Sequence, residues 1–521
     1  MIALDRRLLL AALPAGLLLP GTCAVLAAPA DRTGIRLGPP KDFSFAELAA
    51  RAKKNAGQPY QAPQPRASHI IKDIDFDAVQ KIRFRSDHAL WSAGPAPNPV
   101  SFFHLNRYSA DPVAIHALEN GKAREILYGP DYFDYSASGL DAKVLADLGF
   151  SGFRVMDGQS KPTDWLAFQG ASYFRSSGED AQYGASARGI AINTAGAAAE
   201  EFPRFSEFWL ENKGPLTVIY ALLDGPSITG AYKFDAMKSP GGVIMNVHCD
   251  LFFRADITRL GVAPLTSMFW YGENDRPKNA DWRPEIHDND GLALLTGKGE
   301  RIWRPLVDPP RVMTNSFADN NPKGFGLIQR DRDFADYQDD GAFYNKRPGI
   351  WVEPKGDWGP GAVQLVEIPT DDETHDNIVA LWRPDRPARA GGSMSFDYRL
   401  YWQDSEPAYP KSIAKVVATR LGRGGIPGQN PWPRDKHKFV VDFTGGPLMQ
   451  MRQRYDVKPL VTASRGKIDN AYVIKVVGTD LWRALFDLQA EGNEPVDLRM
   501  YLKLDDATLC ETWLYQYFPQ A

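Results

Sequence analysis

The stretch PTDDETHDNIVALW, residues 369–382, crowds Asp371, Asp372, Glu373 and Asp376 around His375. A second acidic cluster, RPEIHDNDGL at 283–292, holds Arg283, Glu285, His287, Asp288 and Asp290. Carboxylates in two separate clusters suit glycosidic cleavage, where one acid protonates the leaving oxygen and a second carboxylate acts across the scissile bond. The same residues also suit a solvated turn, because Asp and Asn bond locally to their own backbone. A Ca²⁺ loop is a third use, but the EF-hand order of ligands is absent from both clusters. HDNDG comes nearest and lacks the rest of the loop and its twelfth-position Glu, so no metal is expected. From these residues alone, turn and catalysis both stay open.

Other chemistries find less support. His287 and His375 each precede an Asp, yet adjacent residues on a strand point to opposite faces, so neither dipeptide reads as an interacting pair. No G-x-S-x-G elbow, no G-x-G-x-x-G after a strand and no Cys/His zinc spacing occurs. No cofactor is expected. Around the clusters lie Trp270, Tyr271, Trp282, Trp303, Trp351, Trp358 and Trp382. Aromatic faces of this kind stack on sugar rings, although each one taken alone reads more readily as core.

The elements that would carry these residues are mostly strands. Ser44 with Glu47 three residues on forms a capping-box pattern, and Phe45, Leu48, Ala49 and Ala52 follow at helical spacing until Gly57 and Pro59. That predicts one helix of about three turns. Beyond it come short runs of Val, Ile, Phe, Tyr and Trp between Gly, Pro, Asn and Asp. VDLRMYLKL alternates Val496, Leu498, Met500, Leu502 and Leu504 against Asp497, Arg499, Tyr501 and Lys503. MSFDYRLYW, from Met394 to Trp402, repeats the pattern, and KFVVDFTG, AYVIKVVG, WRALFDLQA and TLCETWLYQY add strands. Residues 393–521 therefore read as a small immunoglobulin-like sandwich. RPDRPARAGG reads as an exposed linker before it, residues 33–388 as one large β-sandwich, and 422–438 as a long loop.

A chain of 521 residues exceeds the length at which one core keeps growing, which fits two domains. A formal net charge of −4 provides no basic field for phosphate backbones, so the ligand expected is neutral or mildly charged rather than a nucleic acid. At the N-terminus, Arg6-Arg7 precedes an apolar run from Leu8 to Leu19 and small residues up to Ala30. This predicts a twin-arginine export signal over residues 1–30, cleaved after Ala27, Ala28 or Ala30. Pro14, Gly16, Pro20 and Gly21 break the run too early for a membrane span, and Cys23 after Thr22 argues against a lipoprotein. Cys249 and Cys510 then read as two separate buried thiols.

FQGASYFRSSGEDAQYGASARGIAINTA (168–195), GVAPLTSMFWYGEN (261–274), RPEIHDNDGL, NPKGFGLIQRDRDF (321–334) and EIPTDDETHDNIVALW (367–382) together resemble the periplasmic glucan biosynthesis family. These are the G and D proteins of osmoregulated periplasmic glucan synthesis, and the Arg6-Arg7 signal resembles the D member. The resemblance implies an all-β fold: a large mutarotase-like super-sandwich followed by the small immunoglobulin-like domain. It also implies a periplasmic location and linear β-1,2-glucan as ligand. Some members resemble inverting endo-β-1,2-glucanases or transglycosylases. By motif, the general acid corresponds to Asp376 and the general base to Asp288, the latter working through water and a substrate hydroxyl. Tyr344 and Arg347 in YNKRPGIW, with Glu373, match cleft positions, and Arg283, His287 and Trp303 join them as candidate sugar-binding residues. An inner-membrane glucan synthase and a homodimer are the partners left open, along with branching or cyclising transfer and a non-catalytic scaffold.

Overall fold

The computed structural model describes residues 34–64, 66–92, 98–158, 163–277, 280–407 and 409–519, except for the side chains of residues 143 and 144. The export signal read over residues 1–30 lies outside them. Among the described residues no helix is long and apolar enough to cross a membrane. The chain is all-β, as expected, with 49% of residues in strands. It forms two compact units, each discontinuous in sequence: one runs up to Ser177 and adds Ser186–Ala263 and Pro387–Arg399, and the other comprises Gly178–Ala185, Pro264–Arg386 and Leu400–Ala521.

In the first unit the longest helix among the described residues is Phe45–Ala56. The Ser44 hydroxyl accepts from the Glu47 amide at 3.2 Å and donates to the Glu47 carboxylate at 3.0 Å, so two groups of the first turn cap each other. Leu48 and Ala52 pack on Leu118, Trp209, Leu222 and Ala231 of the sheet beneath, which gives the amphipathic stripe its partner. That sheet runs Lys41–Asp42, Lys122–Glu125, Ala114–Glu119, Arg204–Lys213, Leu216–Asp224, Ile228–Ser239, Gly242–Phe253. Its other face meets the sheet of Asp164–Gln169 and Phe150–Met156 through phenylalanines. Phe168 stacks on Phe174 with centroids 4.9 Å apart and meets Phe234 edge-on at 5.2 Å. Alternation places those rings inward and the polar residues outward. The RPDRPARAGG segment is exposed over most of its length, with Ala388 buried and bridged to Ile257.

In the second unit one sheet runs Gly349–Lys355, Gly324–Ile328, Gly291–Leu295, Arg301–Pro305, Thr512–Tyr517, Val496–Leu504, Lys458–Ala463. The parallel pairing of Ile302 with Thr512 and Trp303 with Trp513 continues the sheet into the C-terminal strands. A four-stranded sheet, Ala414–Arg423, Lys436–Gly445, Trp482–Gln489, Lys467–Lys475, packs over those strands. Along Val496–Leu504, Val496, Leu498, Met500 and Leu502 are buried, as their alternation predicts, and Ser393–Gln403, which belongs to the first unit up to Arg399, buries Met394, Phe396, Tyr398, Leu400 and Trp402 in the same way. Phe439 and Phe486 stack at 5.0 Å, Trp513 and Tyr515 at 5.5 Å, and Phe439 meets Trp513 edge-on. Cys249 and Cys510 are both free and buried, one in each unit. Met313–Asn320, Pro360–Glu367 and Ile378–Pro384 form an antiparallel meander whose last hairpin carries the acidic stretch at its tip.

Because Phe486 is fully buried in the ring stack, Phe486→Ala should cost about 3–5 kcal/mol. Urea denaturation followed by tryptophan fluorescence checks this, and a loss under about 1 kcal/mol would contradict the packing described.

Candidate functional site

The two acidic clusters, far apart in sequence, meet on one short ribbon of the second unit. Phe269–Tyr271 pairs antiparallel with Ile286–His287. The next residue, Asp288, donates its amide to the Met268 carbonyl at 2.8 Å. From the other cluster, the Asn377 side chain accepts from the Phe269 amide and donates to the Phe269 carbonyl, both at 2.8 Å. It also donates to Ile368 O at 2.9 Å, and its own carbonyl accepts from the Ile368 amide at 2.9 Å. Asn377 is buried, and it closes the loop between Pro360–Glu367 and Ile378–Pro384 at its base. Asp288 and Asp376 are thus carried by backbone anchored to two successive residues, Met268 and Phe269.

Around that ribbon the sequence-predicted residues form a chain of contacts. Asp288 is buried in an ion pair with Arg347, whose guanidinium also donates to the Ala342 carbonyl at 3.1 and 3.0 Å and lies 4.3 Å from the Tyr344 ring centroid. The Tyr344 hydroxyl donates to Glu373. Glu373 receives two bonds from Arg283, at 3.0 and 3.1 Å, which is the fork-to-fork geometry that fixes a carboxylate plane. Arg283 holds Asp339 at 2.6 Å and Asp281 at 2.8 Å as well. Burial alone would lower its pKa, but Glu373, Asp281 and Asp339 hold it above the ordinary guanidinium value. Asp288, Arg347, Tyr344, Glu373 and Arg283 are therefore one connected network, set on an apolar floor of Met268, Tyr271, Ile286 and Tyr337. Tyr344 and Arg347 are buried, so they act by holding carboxylates in place.

The four carboxylates of the loop have divided roles. Asp372 builds the turn: it accepts from the Thr374 amide at 2.7 Å and the Thr374 hydroxyl at 2.5 Å. Those bonds and the neighbouring His375 lower its pKa in spite of partial burial. Asp371 is exposed. Glu373 belongs to the arginine network, and Asp376 is half-buried beside the Asn377 anchor. Asp308 accepts the Thr370 amide at 3.0 Å and fastens the other end of the loop. Desolvation, with Asp275, Glu367 and Asp371 nearby, pushes its pKa up to about 7.

Two predicted residues stand apart from this network. His287 is fully buried, with Nε2 on Glu285 at 2.9 Å and its ring stacked on Phe269. Trp303 is buried in the second unit's main core, and the Arg330 guanidinium covers its ring at 3.7 Å while binding Glu511 and Glu406. Both line a small acidic cavity with Glu273, Glu285, Asp290 and Asp331. Burial pushes Glu273 up to about 7 and Asp331 well above the usual carboxylate range, with the other acids adding to it. Donor atoms of Glu285, His287 and Asp331 lie within 4.8 Å of one another, the spacing at which a cation can be held. Asp290 instead receives the amides of Arg330 and Asp331, which is turn-building work. Trp351, Trp358 and Trp382 are core, and Trp282 alone of the aromatics named near the clusters is widely exposed. Asn377, Asp339 and Gln329 were missed from sequence. Gln329, fully buried, donates to the carbonyls of His287 (3.4 Å) and Tyr344 (3.3 Å) and ties those segments together. Only DNIV, with an Asn entering a strand, gave any signal for one of them.

Removing the Asn377 amide strands a buried N–H and two carbonyls, so Asn377→Ala should cost about 1–3 kcal/mol. Thermal unfolding reads the loss, and an unchanged Tm would refute the anchor. For His287, burial lowers the pKa but the Glu285 hydrogen bond and the charges of Glu285, Asp290 and Asp288 raise it above the ordinary 6.5 on balance. A raised folded value means the imidazolium stabilises fully below the unfolded pKa and ceases to as pH rises through the folded one. As pH rises above 6.5, the Tm of the wild type should therefore fall more steeply than that of Glu285→Gln. Parallel curves would remove the His287–Glu285 pair as the cause.

Residues 43–517 match the family model described as "Periplasmic glucan biosynthesis protein, MdoG". The chain is 51% identical over 502 residues to Glucans biosynthesis protein D 2 of Ralstonia nicotianae, covering 93% of this chain and 92% of that one. It is 46% identical over 512 residues to Glucans biosynthesis protein D of Stenotrophomonas maltophilia, covering 96% and 95%. Against Glucans biosynthesis protein D of Xanthomonas oryzae it is 47% identical over 494 residues, covering 93% and 92%. A model match over most of the chain and identities near one half across nearly full lengths lead to one conclusion: this chain belongs to the periplasmic glucan biosynthesis protein family.

Proposed function

We propose that the chain is a periplasmic enzyme that cleaves linear β-1,2-glucan internally and with inversion, trimming the backbone of osmoregulated glucans. The observation that carries this reading is the shared anchoring of Asp288 and Asp376 on Met268 and Phe269. Two carboxylates delivered to one place from separate segments are what glycosidic cleavage requires. Asp376, half-buried on a loop, is the acid that protonates the leaving oxygen. Asp288, buried with Arg347 as counter-ion, is the base. The family resemblance implies that its proton arrives through water and a sugar hydroxyl, and the enclosure of the side chain fits that path. Glu373, Tyr344 and Arg283 keep the acid's loop in register with the base. The family name and an N-terminus read as a twin-arginine signal support a periplasmic site of action.

The test is incubation of the purified protein with linear β-1,2-glucan. Shorter oligomers should accumulate, with the new reducing ends first appearing as the α-anomer by NMR, the signature of inversion at a β-linkage. Asp376→Asn and Asp288→Asn should each slow cleavage by about 10²–10⁴-fold. Rings or branched chains instead of shorter ones would assign a transglycosylase, and unchanged glucan would leave a binding protein. Full activity in Asp376→Asn would overturn the acid assignment.

A further inference from the structure

Trp282 has the most exposed indole among the described residues, at 72%. Leaving so large an apolar surface in water forgoes the stabilisation that burial brings, so its neighbourhood bears on what would cover it. The backbone on either side is stapled. Arg276 donates to the carbonyls of Asp281 and Pro284, both at 3.2 Å. The Asp281 carboxylate accepts the Arg283 amide at 3.3 Å and the Arg283 guanidinium at 2.8 Å. Arg283 in turn grips Glu373, three residues before Asp376. An exposed ring on backbone stapled locally and tied through Arg283 to Glu373 is carried on a segment with little backbone freedom left to lose.

The surrounding charges narrow the occupant. Arg283, the cation next to Trp282 in sequence, is already matched by Asp281, Asp339 and Glu373. Asp340 and Asp371 are exposed nearby in sequence to those partners. With Arg283 held by three carboxylates and Arg276 donating to the Asp281 and Pro284 carbonyls, an anionic ligand finds little to pair with, whereas a neutral pyranose offers an apolar face to the indole and hydroxyls to the carboxylates. Resting on the glucan reading above, we infer that Trp282 is a stacking platform for a glucose unit flanking the scissile pair. It is a binding residue that sets how the polymer lies across the site, and it takes no part in proton transfer.

The experiment uses the cleavage-impaired Asp376→Asn protein, so that intact polymer can be titrated by calorimetry. Adding Trp282→Ala should weaken binding of linear β-1,2-glucan about tenfold or more, and Trp282→Phe should restore most of it. In the otherwise unaltered enzyme, Trp282→Ala should raise KM with kcat nearly kept, a split that a folding defect would not produce, and its Tm should match the parent's because the ring is exposed. Affinity within twofold of the parent in Trp282→Ala would overturn the platform while leaving the glucan reading intact. Failure of Asp376→Asn itself to bind glucan would overturn both.

Discussion

One side chain of ordinary chemistry holds the site together: the amide of Asn377, spread across both backbone groups of Phe269 and the carbonyl of Ile368. A buried amide of this kind is expensive to leave unpaired, so the loop that bears Asp376 has one low-energy seat on the ribbon. The same ribbon fixes Asp288 through the Met268 carbonyl. The relative placement of two carboxylates is thereby converted into the geometry of two adjacent peptide units, which are stiff. On the N-terminal side of Asp376, Thr370, Asp372 and Thr374 bond among themselves and shape the rest of the loop.

Charge pairing performs the complementary task. The chain of Asp288, Arg347, Tyr344, Glu373 and Arg283 is largely buried, where breaking a pair is costly because it strands a charge in low dielectric. Such networks add little net stability over apolar packing, and their plausible use is to specify one arrangement. Here the arrangement specified is the distance between the loop after Pro360–Glu367 and the segment after Ile286–His287. Arg283 is the hub because a planar fork can satisfy Glu373, Asp339 and Asp281 at once, which an ammonium point charge does with less directional control.

Much of the fold was legible because strands announce themselves by alternation and helix starts by caps. Val496–Leu504 and Ser393–Gln403 bury the faces their sequences mark, and Ser44 caps the helix Phe45–Ala56. Local patterns report which face is buried and say nothing of which strand lies alongside, so the parallel pairing of Trp303 with Trp513 was not legible. The site divides in the same way. Acidic clusters at 283–292 and 369–382 were visible as composition, and their roles came only through resemblance. Trp303 shows why: a tryptophan amid acidic motifs is equally compatible with a sugar platform and with a core residue, and contact with Arg330, just beyond the strand Gly324–Ile328, decided for the core. Asn377 and Gln329 carry no charge, so a reading that searches for titratable groups passes over them even inside the stretches it quotes.

The burial of Asp288 bears on the relay that the family resemblance implies. A base in the open would deprotonate water directly and would need its carboxylate facing the nucleophile across the sugar. Asp288 has its Arg347 counter-ion on a buried guanidinium and its amide on Met268, so little of it reaches solvent. A proton can still arrive along hydroxyls, since each hydrogen-bonded oxygen both accepts and donates. A polysaccharide bound in the correct register supplies those hydroxyls itself, and an ill-fitting chain breaks the relay. Under the function proposed above, selectivity for linkage would rest not on contacts to the linkage alone but on whether the substrate completes the path to Asp288.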